Sequence, residues 1–386
     1  MKSKIRNILV VSVADSWGGG EEFLMRLFEN VKGYRFIIIS PPGESYEEFV
    51  KRGTEIIAVN SLKKIFKENG SWSLFLILKI LFNISLSVIS LIKIIFKYKI
   101  DFILANGNLA ALQSLFPSLL ISKKLIIVQH LIYGENSIEA KVLKMLNRFN
   151  PQLVCVSLSV EENIKNILGK ETKNNIITIR HAIKLPLDLV DDNKTDNNVK
   201  IGIVGSIIRL KSIDKVIIAF SKVISNNKNI ILKIYGTIRP AEPDSLLYKS
   251  ELDNLIDNLG IKENICFCGF EKSKEKIYSG VDIIINYSVI AEAFSFTVLE
   301  AMAFKKIVIA SDTGGPKEII TDKFDGFLIP INNDEKLFEM LNYCIRNIYT
   351  NEMSEIRNNA YKTVENNFNL AEFSLQYKRL FDSVNL

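Results

Sequence analysis

The sequence predicts an α/β protein built from two doubly wound domains in tandem. Three observations carry that expectation. Short runs rich in β-branched residues alternate with stretches of helical periodicity, the alternation stops at a polar segment near residue 190, and it then restarts with the same rhythm.

In the first series, Ile8–Val13, Phe36–Ser40, Ile56–Val59, Phe102–Ala105, Leu125–Gln129 and Leu153–Ser157 read as buried parallel strands, predominantly apolar as a sheet covered on both faces requires. The first follows a basic start, Lys2 to Arg6, and ends in Ser-Val-Ala, the outline of a minimal signal peptide. A glycine loop and a helix follow at once, so a buried first strand is the better reading. Leu74–Phe96 reads as a long apolar helix, whose uncharged run Ile80–Ile92 is shorter than the roughly 20 residues a membrane crossing takes. Lys79, Asn83, Ser87, Ser90, Lys93 and Lys97 recur on it at helical spacing and are expected to form one polar stripe. Such a helix either packs on a sheet or lies in a bilayer interface, and the strand that follows favours the sheet. Pro186 to Asn198 has no apolar periodicity. It is read as a linker, 186–199, after an N-terminal domain spanning 1–185. The second series is Lys200–Val204, Ile230–Tyr235, Ile265–Phe267, Ile283–Asn286, Ile307–Ala310 and Gly326–Ile329, within a C-terminal domain spanning 200–369. The stretch Leu370–Val384 has a helical pattern and is expected to be a closing helix, 370–386.

With 386 residues, 48% apolar and 24% charged, the chain has material for two cores, which excludes disordered and fibrous classes. Four scattered cysteines form no CxxC pair, so a disulfide framework is not expected and a reducing cytoplasm is. Two histidines are too few for a zinc site at the spacings present. The net charge of +6 is uneven: 25 Lys and Arg face 15 Asp and Glu up to Lys184, against 24 and 28 beyond it. A basic front half points to an anionic partner. The basic residues are dispersed and no nucleic-acid motif occurs, which leaves an anionic membrane surface or a phosphorylated substrate.

The residues able to do chemistry lie at strand ends. Trp17-Gly18-Gly19-Gly20-Glu21 leads from the first strand into a helix expected to begin near Glu22, a place where glycines let backbone approach an anion. His130 ends the strand Leu125–Gln129. His181 is read as structural. Arg209 and Lys211 follow Gly205-Ser206 and could balance charge on a leaving diphosphate. In Glu292-Ala-Phe-Ser-Phe-Thr-Val-Leu-Glu300, two glutamates stand eight positions apart across a loop and the start of a helix. Backbone N–H groups from Ser295 to Thr297 could meet a diphosphate, and Glu300 could accept from vicinal hydroxyls.

Glu292 and Glu300 match the EX7E motif of the retaining GT-B glycosyltransferases of group 1, the GT4-like family, which this sequence resembles. Phe294, Leu299–Ala303 and Thr313-Gly314-Gly315-Pro316-Lys317-Glu318 extend the resemblance, as do Gly18–Glu21, His130, Gly205 and Lys211. The family's fold is two Rossmann-like doubly wound domains facing a central cleft. The resemblance implies Gly19 and Gly20 near the donor diphosphate, with Ser206, Arg209, Phe294, Ser295, Phe296 and Thr297 around it. It further implies Lys211 on the diphosphate, Glu300 on the ribose, Glu292 on the donor sugar and His130 beside the reacting centre. The chain departs from the family at Ser206, usually Arg; at Ser295, usually Gly; and at His181-Ala182, often Asn-Gly.

The resemblance therefore implies a retaining hexosyl transfer from a UDP- or GDP-sugar to a glycan or lipid-linked oligosaccharide in surface polysaccharide assembly, peripheral on the cytoplasmic membrane face. Nucleic acid is not an expected partner. No Asp-x-Asp triplet occurs, so no metal or other cofactor is expected, and the nucleotide sugar is a substrate. A nucleotide-sugar epimerase of the same fold, or a non-catalytic nucleotide-binding or membrane-scaffolding protein, is the alternative. An epimerase would convert donor with no acceptor present.

Overall fold

The computed structural model describes residues 5–62, 74–171, 175–186, 198–225, 229–238 and 243–384. The chain divides into two compact units, Met1–His181 with Leu370–Leu386, and Ala182–Asn369.

The first unit holds β1 (Arg6–Val11), α1 (Gly19–Asn30), β2 (Tyr34–Ser40), α2 (Glu44–Lys51), β3 (Ile56–Ala58), α3 (Leu74–Lys97), β4 (Phe102–Asn106), α4 (Asn108–Leu120), β5 (Leu125–Gln129), α5 (Ile138–Asn147), β6 (Gln152–Cys155), α6 (Leu158–Leu168) and β7 (Ile176–Thr178). Its seven strands are parallel in the order β3-β2-β1-β4-β5-β6-β7. Val10 pairs with Ile38 on one side and Leu104 on the other, so the strand that had the outline of a signal peptide sits mid-sheet with Ile8–Val11 fully buried. Strand order reverses between β1 and β4, and ligands of doubly wound sheets bind outside the carboxyl ends at such a switch point.

The polar stripe expected on α3 is exposed at Lys93 and Lys97 but not throughout. Ser87 is buried, whereas Phe82, Leu86, Ile89 and Phe96 are exposed beside Lys93 and Lys97. A serine hydroxyl can be satisfied within its own helix, so serine at helical spacing does not report exposure. The side chains of Lys79 and Asn83 lie outside the described residues, as do 187–197 of the expected linker.

The second unit holds β8 (Val199–Val204), α7 (Ile213–Ile224), β9 (Ile230–Tyr235), α8 (Pro243–Leu259), β10 (Ile265–Gly269), α9 (Lys274–Ser279), β11 (Ile283–Asn286), α10 (Phe296–Ala303), β12 (Ile307–Ser311), α11 (Gly314–Ile319), β13 (Phe327–Ile329), α12 (Asp334–Asn347) and α13 (Asn351–Asn367). Its parallel sheet runs β10-β9-β8-β11-β12-β13, with the switch point between β8 and β11. Gly202 in β8 is required by packing, since a Cβ there would stand 2.8 Å from Ile284 and 2.9 Å from Val281.

The last helix, α14 (Leu370–Ser383), packs in the first unit rather than closing the second. The Arg6 guanidinium donates to the carbonyls of Phe381 and Val384 at 2.7 and 3.0 Å, and Tyr377 and Phe381 are fully buried. The first boundary also falls earlier than residue 185. Ile183 donates from its backbone to Phe368 at 3.1 Å and is buried in the core of the second unit, which claims the chain from Ala182 onward.

Candidate active site

In the second unit the candidate residues gather at the switch point. Past β8 the chain turns through Gly205, at φ +145°, and carries Lys211 back across it, so that a Cβ on Gly205 would touch Lys211 Cε. Past β11, Ser288 is anchored to β12 by reciprocal bonds: its backbone donates to Ser311 Oγ, which donates to the Ser288 carbonyl, both at 2.9 Å. Ser288 Oγ then donates to Glu292 Oε1 at 2.6 Å, and the same oxygen accepts from Lys211 Nζ. Burial pushes the Glu292 carboxyl up, but the Lys211 charge with hydrogen bonds from Lys211, Ser288 and Ser295 outweighs it. The pKa settles below the ordinary carboxylate value. Glu292 is thus a fixed anion and Lys211 its cation.

Two glycines hold the Glu292 loop from behind. At Gly314, with φ +60°, a Cβ would stand 2.2 Å from the Glu292 carbonyl; at Gly315 it would stand 2.5 Å from Phe294 Cα. The Gly315 N–H donates to the Glu292 carbonyl at 2.7 Å. The Thr313–Glu318 motif, which carried no assigned role, therefore shapes the loop that bears the first glutamate.

Ser295, buried where the family has glycine, is the N-cap of α10, its Oγ accepting from Val298 N–H at 3.4 Å. Thr297 Oγ1 reaches the Val204 carbonyl at 3.5 Å and joins the start of α10 to the end of β8. Phe294 packs edge-on against Phe296 at 5.8 Å and Phe368 at 6.2 Å, and both Phe294 and Phe296 rest against the core. Inside α10, Glu300 is buried and Oε2 accepts from Tyr278 Oη at 2.9 Å and pairs with Lys274 Nζ at 2.9 Å. Tyr278 and Lys274 carry no motif and were not among the predicted residues. Only α9 brings them to the glutamate.

Arg209 stands apart from this cluster. Its guanidinium donates to Asp244 at 2.9 Å and to Glu251 at 2.6 and 2.8 Å, over the Tyr248 ring, so it is committed to α8. Ser206, next to Gly205, stands just past the end of β8, partly buried.

In the first unit a second cluster stands at the other switch point, past β1, β4 and β5. Helix α1 begins at Gly19, earlier than expected, with Gly18 as its N-cap and Glu21 and Glu22 in its first turn. A Cβ on Gly20 would stand 3.2 Å from Asn106 Nδ2, so Gly20 answers to packing, while nothing lies within 4 Å of one on Gly19. The buried Glu21 carboxylate accepts from Ser12 Oγ at 3.2 Å and from Asn106 Nδ2 at 3.4 Å. That turns Asn106 Oδ1 toward His130 Nε2 at 2.7 Å. A carboxylate only accepts, so Asn106 presents its amide to Glu21 and its oxygen to His130. The network assigns the proton to Nε2 and leaves Nδ1 as the acceptor. His181 stacks on His130 at 5.9 Å, and both rings pack against Phe23 at 5.3 and 5.0 Å. Burial lowers the His130 pKa to about 4; burial first, then His130 and Arg26, lower that of His181.

Among the described residues no three His, Cys, Asp or Glu side chains converge to hold a metal ion, and no helix is long and apolar enough to cross a membrane.

Residues 188–363 match the family described as Glycosyl transferases group 1. An uncharacterized glycosyltransferase of Methanocaldococcus jannaschii is 28% identical over 196 residues, 49% of this chain and 46% of that protein. The capsular polysaccharide biosynthesis glycosyltransferase CapM of Staphylococcus aureus is 23% identical over 226 residues, 55% of this chain and 57% of that protein. The chain spans about half the length of the curated relatives it matches. Among solved structures, HepE of Anabaena in complex with UDP-glucose has a TM-score of 0.80 at 18% identity, covering 98% of this chain and 99% of that chain. The likeness is one of fold, two Rossmann-like parallel α/β domains of the GT-B class. Over the domain that carries Glu292 and Glu300 the chain is similar to the group 1 glycosyl transferases, the resemblance its motifs had implied.

Proposed function

We propose that the protein is a retaining glycosyltransferase that moves a hexosyl group from a UDP- or GDP-sugar to a glycan or lipid-linked acceptor in surface polysaccharide assembly, at an anionic membrane face. The observation that carries the reading is the Lys211–Glu292 pair at the β8/β11 switch point, with Glu300 on the helix that follows the Glu292 loop. Glu300 accepts from the ribose hydroxyls. Lys211 is the cation that offsets charge on the departing diphosphate, and donor binding draws it from Glu292, which turns to the hydroxyls of the donor sugar. Leaving-group charge is met by Lys211 and by backbone N–H groups at the start of α10, so the reaction proceeds without a divalent metal. Arg209, held on α8, has no part in it. The C-terminal domain takes the nucleotide sugar and the N-terminal domain the acceptor, and the latter supplies His130 as a neutral imidazole. That HepE was solved with UDP-glucose, and that CapM is named for capsular polysaccharide, supports the choice of donor class and pathway type.

A panel of nucleotide sugars in excess EDTA tests this. The cognate donor should raise the melting temperature of the C-terminal domain, since ligand at 100 times its Kd stabilises by about 2.7 kcal/mol. The donor alone should be hydrolysed slowly at most. Rapid conversion to an epimer, or a requirement for manganese, would overturn the reading.

A further inference from the structure

The first unit carries an apolar face that its described residues leave uncovered. On α3, Phe82, Leu86, Ile89 and Phe96 recur at steps of four, three and seven residues, so they share one side of the helix, and they are 64, 40, 50 and 68% exposed. Leu91, Ile94 and Ile95 on the other side are buried. Helix α4 packs against α3 and adds Phe116 and Leu120, 58 and 60% exposed. Exposed apolar residues are ordinary singly, but several aromatic and aliphatic side chains exposed on two packed helices mark a contact surface.

Charge identifies what it contacts. Between Glu68 and Glu135 the sequence holds one acid, Asp101, against six lysines. Asp101 accepts from the Asn7 backbone at 2.8 Å, at the edge of β1 and not on this face. Lys93 and Lys97 stand in the same helical stripe as Phe96, and both are exposed. A second copy of the chain seated on this face would bring lysine against lysine with no acid on α3 or α4 to answer it. An anionic bilayer matches both features: aromatic and aliphatic side chains enter the boundary between headgroups and acyl chains, and lysines meet the headgroup phosphates.

We propose that the α3–α4 face of the N-terminal domain is a docking surface for an anionic lipid bilayer. This deepens the reading of an acceptor presented at a membrane, and its test needs no turnover. The full chain is floated with phosphatidylcholine vesicles, with and without phosphatidylglycerol, at low and high salt. The double variants Lys93→Gln with Lys97→Gln and Phe96→Ser with Phe116→Ser are run alongside. Wild type should float only with anionic vesicles and be released by salt. The lysine pair should weaken binding about 25-fold, about fivefold for each charge removed. The phenylalanine pair should weaken it as well, and both variants should bind nucleotide in solution as wild type does. A wild type that binds vesicles but no nucleotide leaves docking intact and removes the transferase reading. Failure to float with anionic vesicles at low salt, flotation unaffected by either pair, or a wild-type dimer dissolved by the phenylalanine pair in place of flotation would overturn the proposal.

Discussion

Lys211 answers two anions, the half-buried Glu292 carboxylate in the structure and a diphosphate in the proposed reaction. Lys211→Met should therefore do more than remove a positive charge. It leaves Glu292 to the burial that already pushes its carboxyl upward, at a cost of up to about 3 kcal/mol for a broken, partly buried pair. Denaturant unfolding of Lys211→Met, Glu292→Gln and the double variant checks this. The double variant should recover part of that stability and none of the turnover. In the other domain, His130 and His181 are kept neutral by burial, so the unfolded chain binds their protons first as pH falls. Stability should be level above about pH 6.5 and decline below it, by at most about 1.4 kcal/mol per pH unit for each histidine. For His130 the decline ends near its folded value of about 4. Urea midpoints of the wild type and of His181→Gln at pH 7.5 and pH 5 measure it, and the variant should lose less on acidification. The two glutamates were legible as candidates through their EX7E spacing, and Lys211 as a cation past the end of β8. Tyr278, Lys274 and Asn106 were not, because they meet their partners only through the fold.

The same contrast holds for elements. Strands β5, β9 and β11 span the residues expected of them, because their runs of Ile, Leu and Val mark the buried stretch even where a Gln, Lys or Asn falls within it. On α3 the expected polar stripe holds at Lys93 and Lys97 and fails at Ser87, because a serine hydroxyl satisfied within its own helix can be buried. The loop before α10 owes its path to α11, which yields a prediction at this scale. Gly315→Ala should displace residues 292–294 and abolish donor turnover while the domain stays folded, as circular dichroism and a donor hydrolysis assay would show. Gly19→Ala is its counterpart. Among the described residues nothing beyond its own turn of α1 lies within 4 Å of the added methyl group, so the fold should be unchanged and any loss of turnover reports crowding of the ligand.

At the scale of the molecule, the two-domain plan is written in the repeated alternation of strand and helix, and both clusters of candidate residues stand at switch points, as that plan requires. The return of α14 to the first unit was not legible. Its helical period is local, but its docking depends on Arg6 and on the apolar surface around Phe23, more than 340 residues earlier in the chain. The proposed transfer requires a nucleotide diphosphate held by the C-terminal domain through Glu300. Titration calorimetry of the full chain with UDP and with GDP, in excess EDTA, tests that most directly. One of the two should bind wild type, and Glu300→Ala should weaken it by about 1.5–3 kcal/mol, roughly 10- to 150-fold. Binding of neither nucleotide, or equal binding by Glu300→Ala and wild type, would contradict it.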